Sequence, residues 1–208
     1  MNILAIGAHF DDIELGCGGA LARHVDQGDK VIVFIATSSE FSSQHGCVLR
    51  NGDTALEEAK KASQIIGYEL IIGNIQTFRL EFAEQVNTQL LKIIETNDID
   101  LIYTHWEQDA HHDHKNLALA TLHCARHVKR ILMYRSNWYD STKVFQKNFF
   151  IDITQTWERK EKAIRAYKTE NERVGDVWIE YFKREAMNNG LQMGVDFAEG
   201  FQLVRWLV

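Results

Sequence analysis

The sequence predicts an α/β fold in which helices cover both faces of a mostly parallel sheet. Short apolar segments alternate with helical segments over about the first 130 residues, which is the pattern of a doubly wound sheet. The segment Lys30–Thr37 (KVIVFIAT) is apolar and β-branched almost throughout, as expected of a central parallel strand. Proline is absent from the chain, so glycine, asparagine and aspartate must supply the turns.

The elements of the first half are predicted from their periodicity and their ends. The segment 53–66 has helical spacing and stops before Gly67, a typical C-terminal glycine. Residues 38–52 are polar and predict a loop, and loops of about 15 residues are uncommon unless they are functional. The other predicted elements are strands over 3–8, 30–37 and 69–72 and helices over 15–27 and 85–95.

The second half continues with a strand, a helix and then a mixed segment. The apolar spacing of the helix predicted over 115–128 places Leu119, Leu122 and Ala125 on one face. The remaining predicted elements are strands over 100–104, 130–135 and 149–154, helices over 157–170 and 177–188, and a final apolar run over 199–207. No repeat or low-complexity linker divides the chain. We therefore predict one domain over 1–208, with a core over 1–135 and a C-terminal mixed α/β extension over 136–208.

Composition restricts the classes of function. The 208 residues are 45% hydrophobic and 25% charged, an ordinary globular balance. The net charge of −6 argues against nucleic acid, and no apolar run reaches the roughly 20 residues of a membrane span. No basic segment precedes the first strand, so we expect no signal peptide and a cytoplasmic location. The three cysteines predict no disulfide framework and are expected to be small buried hydrophobes.

A charged cluster, residues 9–14 (HFDDIE), ends the first predicted strand. Ligands bind at the carboxyl edge of open α/β sheets, so this cluster is a candidate site. The imidazole of His9 and the carboxylate of Asp12 suit Zn²⁺, and Asp11 would remain free as a general base. The alternative is a hydrogen-bonded turn in which aspartate caps the following helix.

A second cluster, residues 109–114 (DAHHDH), follows a later predicted strand and contributes a further histidine ligand. Two histidines and one carboxylate leave a fourth position open for water, which is the pattern of a catalytic zinc site. The alternative for His114 is a surface residue that opens a helix. The glycines that follow the first cluster do not satisfy G-x-G-x-x-G, which argues against dinucleotide binding.

The two clusters together resemble a known family. AHFDDIE resembles the A-H-P-D-D-x-E signature of the LmbE-like (PIG-L) zinc-dependent N-deacetylases, and residues 109–114 are similar to their D-x-H-x-D-H signature. An E-E-A-x-x-A-x-x-x-x-G helix at 57–67 and a closing A-E-x-F at 198–201 extend the resemblance over most of the chain. The resemblance implies a Rossmann-like three-layer fold and hydrolysis of an N-acetyl group on a small GlcNAc-type amino-sugar conjugate.

The resemblance also implies a role for each matching residue. The implied ligands of Zn²⁺, with Fe²⁺ or another divalent ion as the alternative, are His9, Asp12 and His114. Asp11 would be the general base, and a protonated His111 would stabilise the oxyanion. Asp113 would hold a histidine in place. Members of the family often form oligomers, so a homo-oligomer is compatible with the resemblance.

Three departures concern the substrate more than the metal. Phe10 replaces the usual proline, so the turn lacks a fixed φ and is expected to lose rigidity. The arginine common just before the E-E-A helix is missing. Arg50 is the candidate substitute in substrate binding. The usual H-x-S-Q appears here as residues 167–170 (YKTE).

Two further residues are candidates for contact with substrate. His105 follows a strand at the same edge of the sheet, and Trp138 offers a ring for stacking on a sugar. The alternatives are a core histidine and a core or interface aromatic residue. His24, by contrast, has no partner at ligand spacing and is expected to be solvated. Two other functions stay open: hydrolysis of another small-molecule amide or ester, and non-catalytic sugar binding.

Overall fold

The computed structural model describes residues 1–208 and contains nine strands and seven helices. In chain order these are β1 (Asn2–Gly7), α1 (Asp12–Asp26), β2 (Lys30–Thr37), β3 (Phe41–Ser42), β4 (Val48–Arg50), α2 (Gly52–Ile66), β5 (Glu69–Ile75), α3 (Glu84–Thr96), β6 (Leu101–His105), α4 (His112–Cys124), β7 (Arg130–Tyr134), β8 (Phe149–Asp152), α5 (Trp157–Ile164), α6 (Lys168–Val174), α7 (Val177–Met193) and β9 (Ala198–Trp206). None of the helices combines the length and the apolarity that crossing a bilayer requires.

Seven strands form one sheet in the order β5-β2-β1-β6-β7-β9-β8. The first five are parallel, and β9 lies antiparallel between β7 and β8. The predicted α/β class with a mostly parallel sheet is therefore confirmed. The two strands that were assigned to the C-terminal extension continue the same sheet.

Alternate residues of β1 enter two separate cores, because successive side chains of a strand point to opposite faces. Ile3 and Ala5 belong to a cluster of 23 buried residues that also takes in side chains of α1, α2 and α5. Leu4 and Ile6 belong to a cluster of 19 buried residues that takes in side chains of α3 and α4. The molecule is thus a sheet with a helical layer on each face, as the resemblance implied.

The strand order reverses between β1 and β6. From β1 the chain moves outward to β2 and β5, and it then returns to β6 and continues outward to β7 on the other side. Such a reversal leaves a crevice at the carboxyl ends of the two strands, where open α/β sheets bind their ligands. The two sequence clusters follow β1 and β6, so the topology brings them together.

Several predicted elements differ from the structure. The predicted loop 38–52 contains the hairpin of β3 and β4, and the predicted helix 157–170 is divided into α5 and α6. Helix α4 begins at His112, three residues before the predicted start. Of the three apolar residues predicted to share a face of this helix, Ala125 is buried and Leu122 packs against the core, whereas Leu119 is 39% exposed and Leu117 is buried instead.

Single residues differ as well. Cys17 and Cys124 are buried as expected, but Cys47 on the hairpin is exposed. His24, expected to be solvated, is buried and contacts Asp29 and the hydroxyl of Tyr103.

The closing A-E-x-F segment anchors α1, the helix that begins at the first cluster. Glu199 accepts hydrogen bonds from the backbone N–H groups of Gly19 and Ala20 at 2.9 and 2.7 Å, in the middle of that helix. Lys160 donates to Glu199 at 2.6 Å and to the carbonyl of Leu15 at 2.9 Å. Both charged side chains are buried, and each satisfies the other and the helix backbone.

Candidate metal centre

Three predicted ligands meet at the crevice between β1 and β6. The Nδ1 atom of His9 lies 3.2 Å from Nε2 of His114 and 3.3 Å from a carboxylate oxygen of Asp12, and Nε2 of His114 lies 3.2 Å from the other oxygen of Asp12. A tetrahedral zinc ion with bonds of about 2.0 to 2.1 Å would separate its ligand atoms by about 3.3 Å. The side chains present therefore fit a divalent ion such as zinc, with a further position left for water.

The carboxylates around the ligands favour positive charge at this point. Burial would raise the pKa of Asp12, but the neighbouring His114 holds it well below its usual value. Burial would lower the pKa of His114, but the charges of Asp12 and Asp109 raise it to about 10. A buried pocket that stabilises a cation on an imidazole in this way is electrostatically suited to a metal ion.

Asp113 fixes the orientation of His9. Its Oδ2 atom lies 3.1 Å from Nε2 of His9 and accepts the backbone N–H of Phe78 at 2.8 Å. Burial would raise the pKa of Asp113, but these hydrogen bonds lower it, so the carboxylate accepts from His9. Because Nε2 carries the proton, Nδ1 presents its lone pair to the other two ligands.

Asp12 and His114 have supporting partners that the sequence analysis did not assign. Ser136 donates its hydroxyl to Asp12 at 2.8 Å. Asp109 lies 3.4 Å from Nδ1 of His114 and accepts the side-chain amide of Asn137 at 3.0 Å. Ser136 and Asn137 follow β7, whose carboxyl end adjoins that of β6. Their position directly after a predicted strand is the sequence feature that could have identified them as site residues.

Asp11 is buried beside the metal ligands and pairs with Arg50. Nη1 of Arg50 donates to Oδ2 of Asp11 at 2.6 Å. Burial raises the pKa of Asp11, the charge of Arg50 opposes that rise, and the charge of Asp12 reinforces it. A carboxylate whose pKa is raised in this way is a stronger base than an ordinary surface aspartate.

The surroundings of His111 favour a neutral ring, whereas the resemblance implied the protonated form. Burial and the neighbouring His114 and His9 lower its pKa to about 4. Its Nδ1 atom accepts the backbone N–H of Asp113 at 3.2 Å and caps α4. The single ring proton therefore resides on Nε2, which can donate to an oxygen atom.

Four rings contact one another in succession from the cavity inward. Phe78 stacks on His111 with centroids 5.6 Å apart, His111 on His114 at 4.5 Å, and His114 on His105 at 4.0 Å. His105 is fully buried and does not line the cavity. The substrate contact expected of His105 is corrected to a supporting position beneath His114, because its atoms have no exposed surface. Phe78 was not predicted, since no sequence pattern marks it.

A cavity of about 320 Å³ opens over the site. Arg50 and Trp138 line it, as do Asp11 and His111, so two of the three residues predicted to contact substrate lie on its wall. The other aromatic residues on the wall are Phe41, Phe78, Tyr139 and Trp178. The cavity thus combines the polar groups described above with an aromatic rim, as small-molecule sites commonly do.

Tyr167 holds the turn that lacks the usual proline. Its hydroxyl lies 2.5 Å from the carbonyl oxygen of Phe10 and 2.9 Å from Glu14, and Tyr68 donates to the same glutamate. Ser39 accepts the N–H of Phe10 at 2.9 Å. The rigidity that Phe10 was expected to cost is therefore offset by hydrogen bonds on both sides of its backbone.

The comparison with protein families matches the model described as PIG-L, GlcNAc-PI de-N-acetylase, over residues 4–125. An uncharacterized deacetylase of Escherichia coli, YaiS, is 33% identical over 152 residues, which is 66% of this chain and 76% of that protein. The diacetylchitobiose deacetylase of Thermococcus kodakarensis is 24% identical over 98% of this chain and 83% of its own length. The resemblance inferred from the two signatures is thereby confirmed.

Solved structures share the fold over nearly the whole chain. The N,N'-diacetylchitobiose deacetylase of Pyrococcus horikoshii superimposes with a TM-score of 0.82 at 21% identity, over 98% of this chain and 83% of that one. The sequence comparison also finds the 4-oxalmesaconate hydratase of Pseudomonas putida, 22% identical over 98% of this chain and 89% of that protein. Relatives at this distance therefore carry names of two reaction classes, deacetylation and hydration.

Proposed function

The chain belongs to the PIG-L (GlcNAc-PI de-N-acetylase) family, and from this premise we propose that it is a metal-dependent hydrolase that removes an N-acetyl group from an amino-sugar conjugate. One observation carries the proposal. The ring nitrogens of His9 and His114 lie 3.2 Å apart, and each lies within 3.3 Å of an oxygen of Asp12, on the wall of a cavity that Asp11 and His111 also line. A candidate base, a candidate oxyanion donor and a metal position thus face the same space.

His9, Asp12 and His114 would hold the ion, and Zn²⁺ suits this set of two imidazoles and one carboxylate. When bound, such an ion acts as a Lewis acid that lowers the pKa of a coordinated water molecule and polarises an acyl oxygen. Asp113 accepts the outer ring N–H of His9, and the carboxylate of Asp109 lies 3.4 Å from the outer ring nitrogen of His114; both contacts favour the tautomers that bind metal.

Asp11 is the proposed general base. It takes a proton from the water molecule as the oxygen of that water attacks the acyl carbon. Arg50 fixes the direction of the carboxylate through the hydrogen bond at 2.6 Å. The neutral His111 donates its Nε2 proton in a hydrogen bond to the acyl oxygen, where negative charge develops, and such donors are worth about 3 to 4 kcal/mol.

Collapse of the tetrahedral species breaks the carbon–nitrogen bond. Asp11 has by then taken one proton, and it delivers that proton to the departing amine nitrogen. The products are acetic acid, which ionises to acetate, and a free amino sugar, and Asp11 returns to its starting state. His111 needs no second proton in this sequence, which agrees with the lowered pKa of its ring.

The proposal is tested by acetate release from the purified, zinc-loaded protein. N-acetylglucosamine and N,N'-diacetylchitobiose are compared with an N-acetyl amino acid, p-nitrophenyl acetate and 4-oxalmesaconate. We expect acetate from the sugars at the highest kcat/KM. Faster turnover of the N-acetyl amino acid or of the ester would show that the substrate is not an amino sugar. Hydration of 4-oxalmesaconate without acetate release would show that the reaction is not a deacetylation.

Asp11→Asn distinguishes an enzyme from a sugar-binding module. We expect it to retain zinc by elemental analysis and to lose about 10² to 10⁴ in kcat. The matched control is Asp53→Asn, which removes an exposed carboxylate in the first turn of α2 and should leave turnover unchanged. Unchanged turnover in Asp11→Asn would contradict the assignment of the base. The cytoplasmic location and the homo-oligomer stay predictions.

A further inference from the structure

Phe78 has a backbone conformation that bulky residues rarely adopt. Its φ of +63° lies in the left-handed region, where a β-carbon meets steric conflict. Its ring is 53% exposed and lines the cavity over the metal site. A strained, exposed aromatic residue on a cavity wall is more often retained for function than for packing.

The strain is maintained by the site itself. Asp113, which is fully buried, accepts the N–H of Phe78 at 2.8 Å and the N–H of Leu80 at 3.3 Å. The same carboxylate fixes His9. The turn that carries Phe78 is therefore fixed relative to the metal ligands, so the position of its ring is defined with respect to the reacting atoms.

Phe78 and Phe41 together form what we call the apolar corner of the cavity. The ring of Phe41, from β3, meets the ring of Phe78 edge-on with centroids 5.9 Å apart. Phe78 in turn stacks on His111 at 5.6 Å. On other parts of the wall the cavity presents polar groups, among them Arg50, Glu170 and Asn137, which can pair with sugar hydroxyls.

The chemistry of the amide assigns an occupant to this corner. In the proposed reaction the acyl oxygen points to Nε2 of His111, and the acyl carbon also carries the methyl group of the acetyl. That methyl is the apolar substituent closest to the oxygen, so the ring beside His111 is the surface within its reach. Packing a methyl group against two phenylalanine rings is favourable, whereas placing a sugar hydroxyl there would leave it without a partner.

Resting on the proposed function, we propose that the apolar corner of Phe41 and Phe78 is the acyl subsite and that Phe78 restricts it to short acyl groups. Glucosamine acylated on nitrogen with acetyl, propionyl or butyryl is the test series. The measured quantity is the ratio of kcat/KM for the acetyl compound to that for the butyryl compound. This ratio does not depend on the folded or metal-loaded fraction of a variant.

Phe78→Gly is the principal variant, because glycine adopts a positive φ without steric cost. We expect the wild type to prefer acetyl over butyryl at least tenfold and Phe78→Gly to lower that ratio at least tenfold. Phe41→Ala, at the other side of the corner, should lower it in the same direction. The matched control is Phe82→Ala, which removes a ring that is 52% exposed and contacts His123 instead, and which should leave the ratio within twofold.

The two proposals fail in different ways. An active wild type whose variants lose the same factor on all three compounds would overturn the acyl subsite, since the rings would then support the sugar or the fold. A wild-type preference for butyryl would overturn it as well. A wild type that hydrolyses none of the compounds would overturn the proposed function and, with it, the subsite.

Discussion

Tyr167→Phe removes the hydroxyl that joins the turn of the first cluster to the C-terminal half of the chain. That hydroxyl contacts the carbonyl of Phe10 and one oxygen of Glu14, and all of these groups are buried. Tyr68→Phe is the matched perturbation. It removes a buried hydroxyl that contacts the other oxygen of Glu14 and does not reach Phe10.

The expected magnitudes follow from the groups left without partners. A buried acceptor that loses its hydrogen bond costs about 1 to 3 kcal/mol. Tyr68→Phe leaves one such acceptor and Tyr167→Phe leaves two, so Tyr167→Phe should lower the free energy of unfolding by about 1 to 3 kcal/mol more. Partners that orient metal ligands typically change metal affinity 10- to 100-fold. Because Tyr167 acts through the backbone next to Asp11 and Asp12, we expect about tenfold weaker zinc binding.

Urea unfolding measures the first quantity, and competition for zinc with a chromophoric chelator measures the second. Tyr68→Phe should lose stability with zinc affinity within about twofold of the wild type, since the residues it supports do not bind metal. Equal loss of zinc affinity in the two variants would refute a specific role of the Phe10 carbonyl. Unchanged affinity in Tyr167→Phe would show that the turn keeps its shape without the hydroxyl.

Three further predictions concern separate parts of the molecule. His111→Ala should lower kcat about 10²- to 10³-fold, as steady-state kinetics on the zinc-loaded protein would show, and a change confined to KM would contradict its role as an oxyanion donor. Lys160→Met should lower the free energy of unfolding by about 3 to 5 kcal/mol in urea titrations, since Glu199 is left charged and buried, and adding Glu199→Gln should recover part of the loss. Burial lowers the pKa of His24 despite its contact with Asp29, so the folded chain binds fewer protons than the unfolded chain below about pH 6.5 and loses stability as the pH falls through that value. Urea midpoints at pH 5.5 and 7.5 should differ less in His24→Gln than in the wild type, and an equal difference would show that other groups set the pH dependence.

The sheet and the meeting of the two clusters could be predicted because they depend on local patterns. Apolar runs such as Lys30–Thr37 mark central strands, and charged residues directly after β1 and β6 lie at one edge whenever the strands are parallel neighbours. The proposed metal ligands followed from residue type and from the family signature. Neither inference requires knowledge of a distant contact.

What could not be predicted depends on contacts between distant residues. His24 was expected to be solvated, because its partner Tyr103 lies 79 residues away in the chain. The position of Phe78 depends on a carboxylate 35 residues away that holds its backbone in a left-handed conformation. Residues 75–82 (IQTFRLEF), which surround it, contain no glycine, asparagine or aspartate that would reveal this.

The predicted helix 157–170 was divided for a related reason. Tyr167 contacts Phe10 and Glu14, and Thr169 donates to Glu58. These contacts fix the residues between α5 and α6 against α1 and α2, where a continuous helix would present different side chains. Helical periodicity alone contains no information about such partners.

The anchoring of α1 by Glu199 has a consequence for how the protein matures. The helix that begins with Asp12 is synthesised well before the carboxylate that holds its middle turn, since 180 positions separate Gly19 from Glu199. Until β9 has been made, a growing chain would carry the proposed metal-binding residues without the support that places them. We therefore expect loading with metal to follow the insertion of β9 between β7 and β8.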